Sequence, residues 1–328
     1  MCQSRKRVNV YYSFLFLVPK DTFCSIENIL NTVKILYTTD IHASPDHLFS
    51  MLSIAKNEGV DSIIVGGDLI PHHLPDERQS NILKAQAKYL KDIFVPAIMN
   101  FREQKDICIY LDMANDDYIC NRDILQEHNN DLFHLLHMEK HHLTDTVDIV
   151  GYMVVPPTPF NRKDWEKPDT PEFPFSPGNQ VQLSGHISSN GILEKAVIDL
   201  NSSDTIERDH HQLSEIIDKP FIFVSHTPPY RTPLDVIYNG LHVGSLSVRH
   251  FIEKWSKAGK IIASLHGHIH ESPGRSGEIS TKINNVLCIN PGQESGRSSK
   301  FRYVILQLTG AFSSGIEILK TEAGACVK

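Results

Sequence analysis

Aspartate, histidine and asparagine recur in this chain in five short blocks, each close behind an apolar run. Asp40-Ile41-His42 follows Lys34–Thr39, Gly66-Gly67-Asp68 follows Ser62–Val65, and Ala114-Asn115-Asp116-Asp117 follows Ile107–Leu111. Ser225-His226-Thr227-Pro228-Pro229 follows Phe221–Val224, and Gly267-His268-Ile269-His270 follows Ile261–Leu265. Carboxylate, imidazole and amide donors with no thiolate suit Mn²⁺, iron, Zn²⁺ or Co²⁺; they argue against an iron–sulfur cluster or a structural zinc cage. Seven such ligands are too many for one tetrahedral ion and suit two ions that share a carboxylate. A lone D-x-H or H-x-H means little in a chain with 18 histidines. Asp209-His210-His211, in a polar helix-like stretch, is accordingly expected at the surface.

The elements that must carry these blocks are legible as short apolar runs alternating with helical periodicity. Helices are predicted over Asp46–Asn57, from Asp76 to about Met99 with an interruption near Pro96, over Asp117–His128 and over Ser247–Lys257. Further strands are expected at Ile149–Val155, Val286–Ile289, Tyr303–Leu308 and Gly315–Leu319, the last two as an antiparallel addition to a covered, largely parallel sheet. Open α/β sheets place ligands beyond the carboxyl ends of their strands, which is where all five blocks fall. Pro156–Gly178 breaks the rhythm with seven prolines, which exclude a helix or inner strand. It is predicted to be an ordered surface loop, either a connector or a lid over the site.

Composition narrows the class. Apolar residues are 41% and charged residues 22% of the 328, ordinary for a globular protein, and the net charge of −7 has the wrong sign for sequence-independent nucleic-acid or anionic-membrane binding. The six cysteines form no C-x-x-C; Cys108 and Cys288 lie in apolar runs and are expected buried and reduced, in keeping with a cytoplasmic location. No run of 18 apolar residues suggests a membrane span. Arg5-Lys6-Arg7 ahead of Val8–Val18 superficially resembles a secretory signal, but Pro19, Lys20 and Asp21 follow without a small-residue cleavage site. Residues 1–32 are therefore expected to be a poorly ordered extension, with one domain over 33–322 and a tail at 323–328.

The order and spacing of the five blocks resemble the calcineurin-like metallophosphoesterase superfamily, whose pattern is D-x-H, G-D, G-N-H-[DE], a lone H and G-H-x-H. His226-Thr-Pro-Pro-Tyr, His242-Val-Gly-Ser and Asn290-Pro291-Gly292 look most like its prokaryotic branch of small phosphoesterases related to the Icc type. The resemblance implies a four-layer αββα sandwich, two central mixed sheets flanked by helices, with a dinuclear metal site at the sheet edge. It implies Asp40, His42 and His270 on one metal, Asn115, His226 and His268 on the second, and Asp68 between them. The implied cofactors are two divalent ions, Mn²⁺ foremost, with iron or Zn²⁺ as alternatives. The implied activity is metal-dependent hydrolysis of a small phosphodiester or phosphomonoester, nucleotides included, by in-line attack of a bridging hydroxide.

Two positions depart from that pattern. Ala114 stands for the usual glycine, and Asp116 stands where many relatives have a histidine that protonates the leaving oxygen. An aspartate beside two cations is expected to stay ionised and to be a poor acid. Either Asp116 has another role, or the substrates carry good leaving groups, or another histidine such as His73 or its neighbour His72 donates; His266 is a candidate support for the metal pair. Arg231 is a candidate contact for a second phosphate or carboxylate, while Tyr230 and Trp165 are expected to be packing residues rather than base-stacking ones. A non-catalytic scaffold of the same fold and a nuclease are the competing functions; too few cations for many phosphate contacts argue against the nuclease. The expected partner is a small phosphate ester, without stable membrane insertion, and the sequence does not speak to oligomeric state.

Overall fold

A computed structural model describes residues 32–71, 79–293, 300–309 and 316–321. The expected N-terminal extension, apart from its last residue, and the pair His72 and His73 lie outside these. The chain builds two six-stranded mixed sheets with helices, plus a separate hairpin. The first sheet contains β1 (Val33–Thr38), β2 (Ser62–Val65), β3 (Cys108–Leu111), β4 (His134–Leu135), β13 (Val304–Leu308) and β14 (Ile316–Thr321). Its order is β14-β13-β1-β2-β3-β4, parallel from β1 to β4 and antiparallel where β13 joins β1 and where β14 joins β13. The second sheet contains β5 (Lys140–His142), β6 (Asp148–Tyr152), β9 (Phe221–Ser225), β10 (Ile261–Leu265), β11 (Ser280–Ile283) and β12 (Val286–Ile289). Its order is β11-β12-β10-β9-β6-β5, with the four inner strands parallel.

The inner strands β2, β6 and β9 are buried along their whole length, so every residue there must suit a dry face. One hydrophobic cluster runs through both sheets, from Ile35, Ile63 and Ile109 to Ile149, Phe223 and Leu265. Helix α1 (Pro45–Glu58) adds Leu48, Met51 and Ala55 to it; Ser44 caps its first turn by accepting from the His47 N–H, and Gly59 closes it at φ 61°. The helical stretch from Gln79 to Gln104 is continuous, where an interruption near Pro96 was expected: α2 (Gln79–Tyr89) passes through a π-turn at Leu90–Phe94 into α3 (Val95–Gln104). Pro96 has no N–H to give to an upstream carbonyl, and the wider turn just before it absorbs that loss. The helix expected over Asp117–His128 is shorter, a 3₁₀ turn at Ile119–Asn121 followed by α4 (Arg122–Gln126).

Several expectations fail at the level of burial. The hairpin β7 (Ser184–Ser189) and β8 (Ile192–Val197) was not anticipated, nor were β4, β5 and β11. Cys108 is exposed at the start of β3, whereas Cys288 is buried and its thiol is pushed up to about 12 by that burial. Asp209 and His210 are not at the surface. They lie on the inner face of α5 (Ile206–Glu215), where Asp209 accepts from Tyr152 Oη at 2.8 Å and pairs with Lys167, and His210 packs 4.6 Å from the Tyr152 ring. The proline-rich segment is irregular, as expected, but much of it is interior. Trp165, Asp169, Lys163 and Glu166 are buried, Lys163 Nζ and Glu166 Oε2 being 2.8 Å apart. Asp169 accepts from Ser245 Oγ and the Leu246 N–H, both at 2.6 Å, which locks the segment onto the start of α6 (Leu246–Lys257).

Candidate metal centre

Each of the five blocks follows the carboxyl end of a parallel strand, β1, β2 and β3 in one sheet and β9 and β10 in the other. The loops are bound to one another by backbone hydrogen bonds. The Asp40 N–H donates to the Gly67 carbonyl at 3.0 Å, the His42 N–H to the Asp68 carbonyl at 3.0 Å, and the Gly267 N–H to the His226 carbonyl at 2.9 Å. Tyr37 Oη donates to the His266 carbonyl at 2.6 Å and so ties β1 to the far sheet. Two glycines make the approach possible. A Cβ on Gly67 would sit 2.6 Å from His226 Nδ1, and one on Gly267 would sit 2.0 Å from Thr39 Oγ1 and 2.6 Å from Asp40 Oδ2.

Asp40, His42, Asp68 and His270 each bring a donor atom within 4.8 Å of the others. His42 Nε2 and His270 Nε2 are 3.0 Å apart, and His270 Nε2 is 3.0 Å from Asp40 Oδ1. Beside them, His226 Nε2 lies 2.9 Å from Asn115 Oδ1 and 3.2 Å from Asp68 Oδ2. The His268 ring centroid is 5.3 Å from that of His226, and the His268 N–H donates to Asp40. All seven expected ligands thus meet in one place, with Asp68 between the two groups.

The donor set fits divalent cations. Asp68 is buried, one oxygen accepting from the Asp116 N–H at 2.9 Å and the other facing His226 Nε2 at 3.2 Å and His42 Nε2 at 3.9 Å. Two buried carboxylates, Asp40 and Asp68, ringed by imidazoles are costly to desolvate unless positive charge meets them. Asp40, His42, Asp68 and His268 all have positive φ, between 46° and 64°. Non-glycine residues hold that conformation at a cost, and such strain gathers where a ligand geometry requires it. Burial alone would raise the Asp40 carboxyl, yet His270 and His226 outweigh it and bring it down to about 2; Asp68 is also held low against burial, chiefly by His226. Burial pushes His268 down to about 3, so it presents a neutral imidazole.

The other expected residues divide. Asp116 is at the site, 3.8 Å from His42 Nδ1. Burial, with repulsion from Asp68, raises its carboxyl to about 6 against the pull of Arg162, which still leaves it largely ionised at neutral pH. His266 is fully buried, its Nδ1 placed 3.1 Å from the Ser225 carbonyl and 3.0 Å from that of Thr227, where it can fix the turn that carries His226. Arg231 is exposed, with its guanidinium 5.5 Å over the Tyr230 ring. Trp165 packs 5.1 Å from His137 and Tyr230 packs 5.1 Å from Phe173, as packing residues should.

Sequence reasoning missed Arg162 and Asp117. Arg162 Nη1 reaches Asp116 Oδ1 at 3.3 Å from the proline-rich segment, and no spacing signal marked it. Asp117 accepts from the N–H groups of Leu69, Ile70 and Ala114, each at 3.0 Å, and so binds the second block to the third. Its place inside the third block was a signal that the ligand pattern alone did not use.

Comparison with known proteins agrees with this architecture. One solved crystal structure, 13% identical, covers 88% of this chain and 98% of its own with a TM-score of 0.55. At that identity the likeness is one of fold alone, an α/β architecture of two mixed sheets with helices. At lower similarity stand TT1561 of Thermus thermophilus (16% identical, 86% of this chain and 100% of that one, TM-score 0.48) and a dimetal phosphatase from Danio rerio (9%, 88% and 98%, TM-score 0.45). Among curated proteins, the uncharacterized protein MJ1162 of Methanocaldococcus jannaschii is 35% identical over 95 residues, which are 28% of this chain. The match spans only 40% of that relative's length. No protein-family model matches the chain.

Proposed function

We propose that this chain is a metal-dependent phosphoesterase acting on a small phosphodiester or phosphomonoester. The convergence of Asp40, His42, Asp68 and His270 within 4.8 Å, with Asn115 and His226 against Asp68, is the observation that carries the proposal. In this assignment Asp40, His42 and His270 would hold one ion and Asn115, His226 and His268 the other, with Asp68 within reach of both sets. Mn²⁺ is the first ion to test, ahead of iron and Zn²⁺. When bound, such a pair supplies charge neutralisation at the phosphoryl oxygens and activation of the attacking water.

The chain's own residues would position the reaction. The Asp116 N–H fixes one oxygen of Asp68, leaving the other aimed into the cluster. Asp116 also holds Arg162, which we assign to the phosphoryl oxygens because a planar guanidinium suits that geometry. His226 is fully buried, so the cluster is closed to bulk water on that side.

Hydrolysis of an aryl phosphomonoester and an aryl phosphodiester, measured after chelation and again after adding Mn²⁺, Zn²⁺ or Fe²⁺, tests this. Activity should vanish with the chelator and return with metal, and Asp68→Asn should lower it at least about 100-fold. No activity with any ion, and an Asp68→Asn variant indistinguishable from wild type in metal content, would favour a non-catalytic scaffold.

A further inference from the structure

A pocket of about 410 Å³ shares the metal-ligating His268 as part of its wall. Three structural pieces meet there: the proline-rich segment at Pro156–Phe160, the turn at Ile237–Val243, and the ligand turn with Ile269 and Glu271. Phe160 and Tyr238 stand 50% and 69% exposed, and both line the pocket. Neither aromatic is needed by the core, and an aromatic pair facing a cavity offers stacking area for a flat or bulky apolar group.

The walls are preformed. Pro156, Pro157 and Pro159 restrict the first, and Thr158 between them donates its N–H and hydroxyl to Glu166, which the buried Lys163 pairs. Asp235 anchors the turn by accepting from the Thr232 and Gly244 N–H groups, and Ile237 and Leu241 close it with a 3.0 Å backbone bond. Little ordering is therefore left for a ligand to impose.

Charge decides the class of ligand. Among the described residues the lining holds no lysine or arginine; its one carboxylate is Glu271, and most of the rest is proline, aromatic or aliphatic. Arg275 lies 4.5 Å over the Tyr238 ring without lining the cavity. A second anionic group seated here, away from the ligand cluster, would be desolvated against apolar walls beside Glu271 with no lysine or arginine in the lining to receive it, an unfavourable arrangement. We infer that this pocket receives the alcohol portion of the phosphate ester as an uncharged or cationic, apolar or aromatic group, and that the site discriminates against esters carrying a second anion there. The inference rests on the phosphoesterase reading and adds the substrate class.

Two measurements separate the inference from that reading. The first is kcat/KM for 2-naphthyl phosphate and for a ring-carboxylated naphthyl phosphate of matched leaving-group pKa. The carboxylated ester should be at least about tenfold poorer, with the loss in KM, and Glu271→Gln should narrow the gap severalfold. Equal rates, a preference for the carboxylated ester, or a gap untouched by Glu271→Gln would overturn the inference while leaving the phosphoesterase reading intact. The second is binding of 2-naphthol to the full chain by NMR, a readout that needs no turnover. Saturable binding weakened severalfold in Tyr238→Ala and Phe160→Ala supports the pocket even if no ester is cleaved, whereas absence of saturable binding overturns it.

Discussion

Arg162 and Asp116 show how one substitution in a ligand block can be answered from a distant segment. At Asp116 the histidine expected of such a site is missing, and the carboxylate there instead grips a guanidinium from the proline-rich segment at 3.3 Å. If that guanidinium meets the phosphoryl oxygens, Arg162→Ala should raise KM about tenfold, equivalent to about 1.4 kcal/mol of binding. Arg162→Lys should recover part of the loss, since a point charge cannot reproduce the fork. Steady-state kinetics check this, and an unchanged KM in both variants would remove the assignment. The clustering of the seven proposed ligand positions was legible because each sits just past an apolar run. Arg162 was not, because its partner is 46 positions away and nothing in the local sequence around it signals the pairing.

At the scale of elements, the proline-rich segment differs most from its sequence image. Proline density correctly excluded helix and strand, but it carries no information on burial, and the segment's polar residues are satisfied inside the fold. Asp169 is the main fastener, accepting from Ser245 Oγ and the first N–H groups of α6. Asp169→Ala should destabilise the chain by about 2–3 kcal/mol through unsatisfied donors and a weakened helix start, and should expose 156–178 to proteolysis. Chemical denaturation with limited digestion checks both; wild-type behaviour in each would mean that the prolines alone hold the segment. The hairpin β7–β8 was within reach of the sequence. Asn190-Gly191, both at positive φ, is the two-residue turn that hairpin strands prefer. The strands it joins alternate weakly and leave Ile192 and Val197 exposed, so the turn was the only strong signal.

Among the described residues, histidines fall into different settings. Four belong to the proposed ligand set, His266 sits behind the His226 turn, His210 is buried in the core and half-buried His137 packs against Tyr152 and Trp165; desolvation pushes His137 down to about 4 and His210 down to about 3. Composition could count 18 histidines but could not sort them, since burial depends on packing between distant elements such as α5 and α6. The sorting has a pH consequence. An unfolded histidine takes its proton near pH 6.5, whereas His210 folded does so only near 3, so the unfolded chain binds more protons in between. Stability from this group is full above about pH 6.5 and is lost as pH falls. His210→Phe should therefore lose about 2 kcal/mol less stability than wild type between pH 7 and pH 5. Paired denaturation curves at the two pH values measure it, and equal losses would mean that His210 is not neutral in the fold.

Both sheets exist to bring five strand ends to one point, and the most direct test of that point is anomalous scattering from crystals grown with Mn²⁺. Two peaks about 3.5–4 Å apart, both within ligand distance of Asp68, are the predicted result. Absence of any peak beside Asp68, or a single peak reached by neither His270 nor His226, would contradict the two-metal assignment.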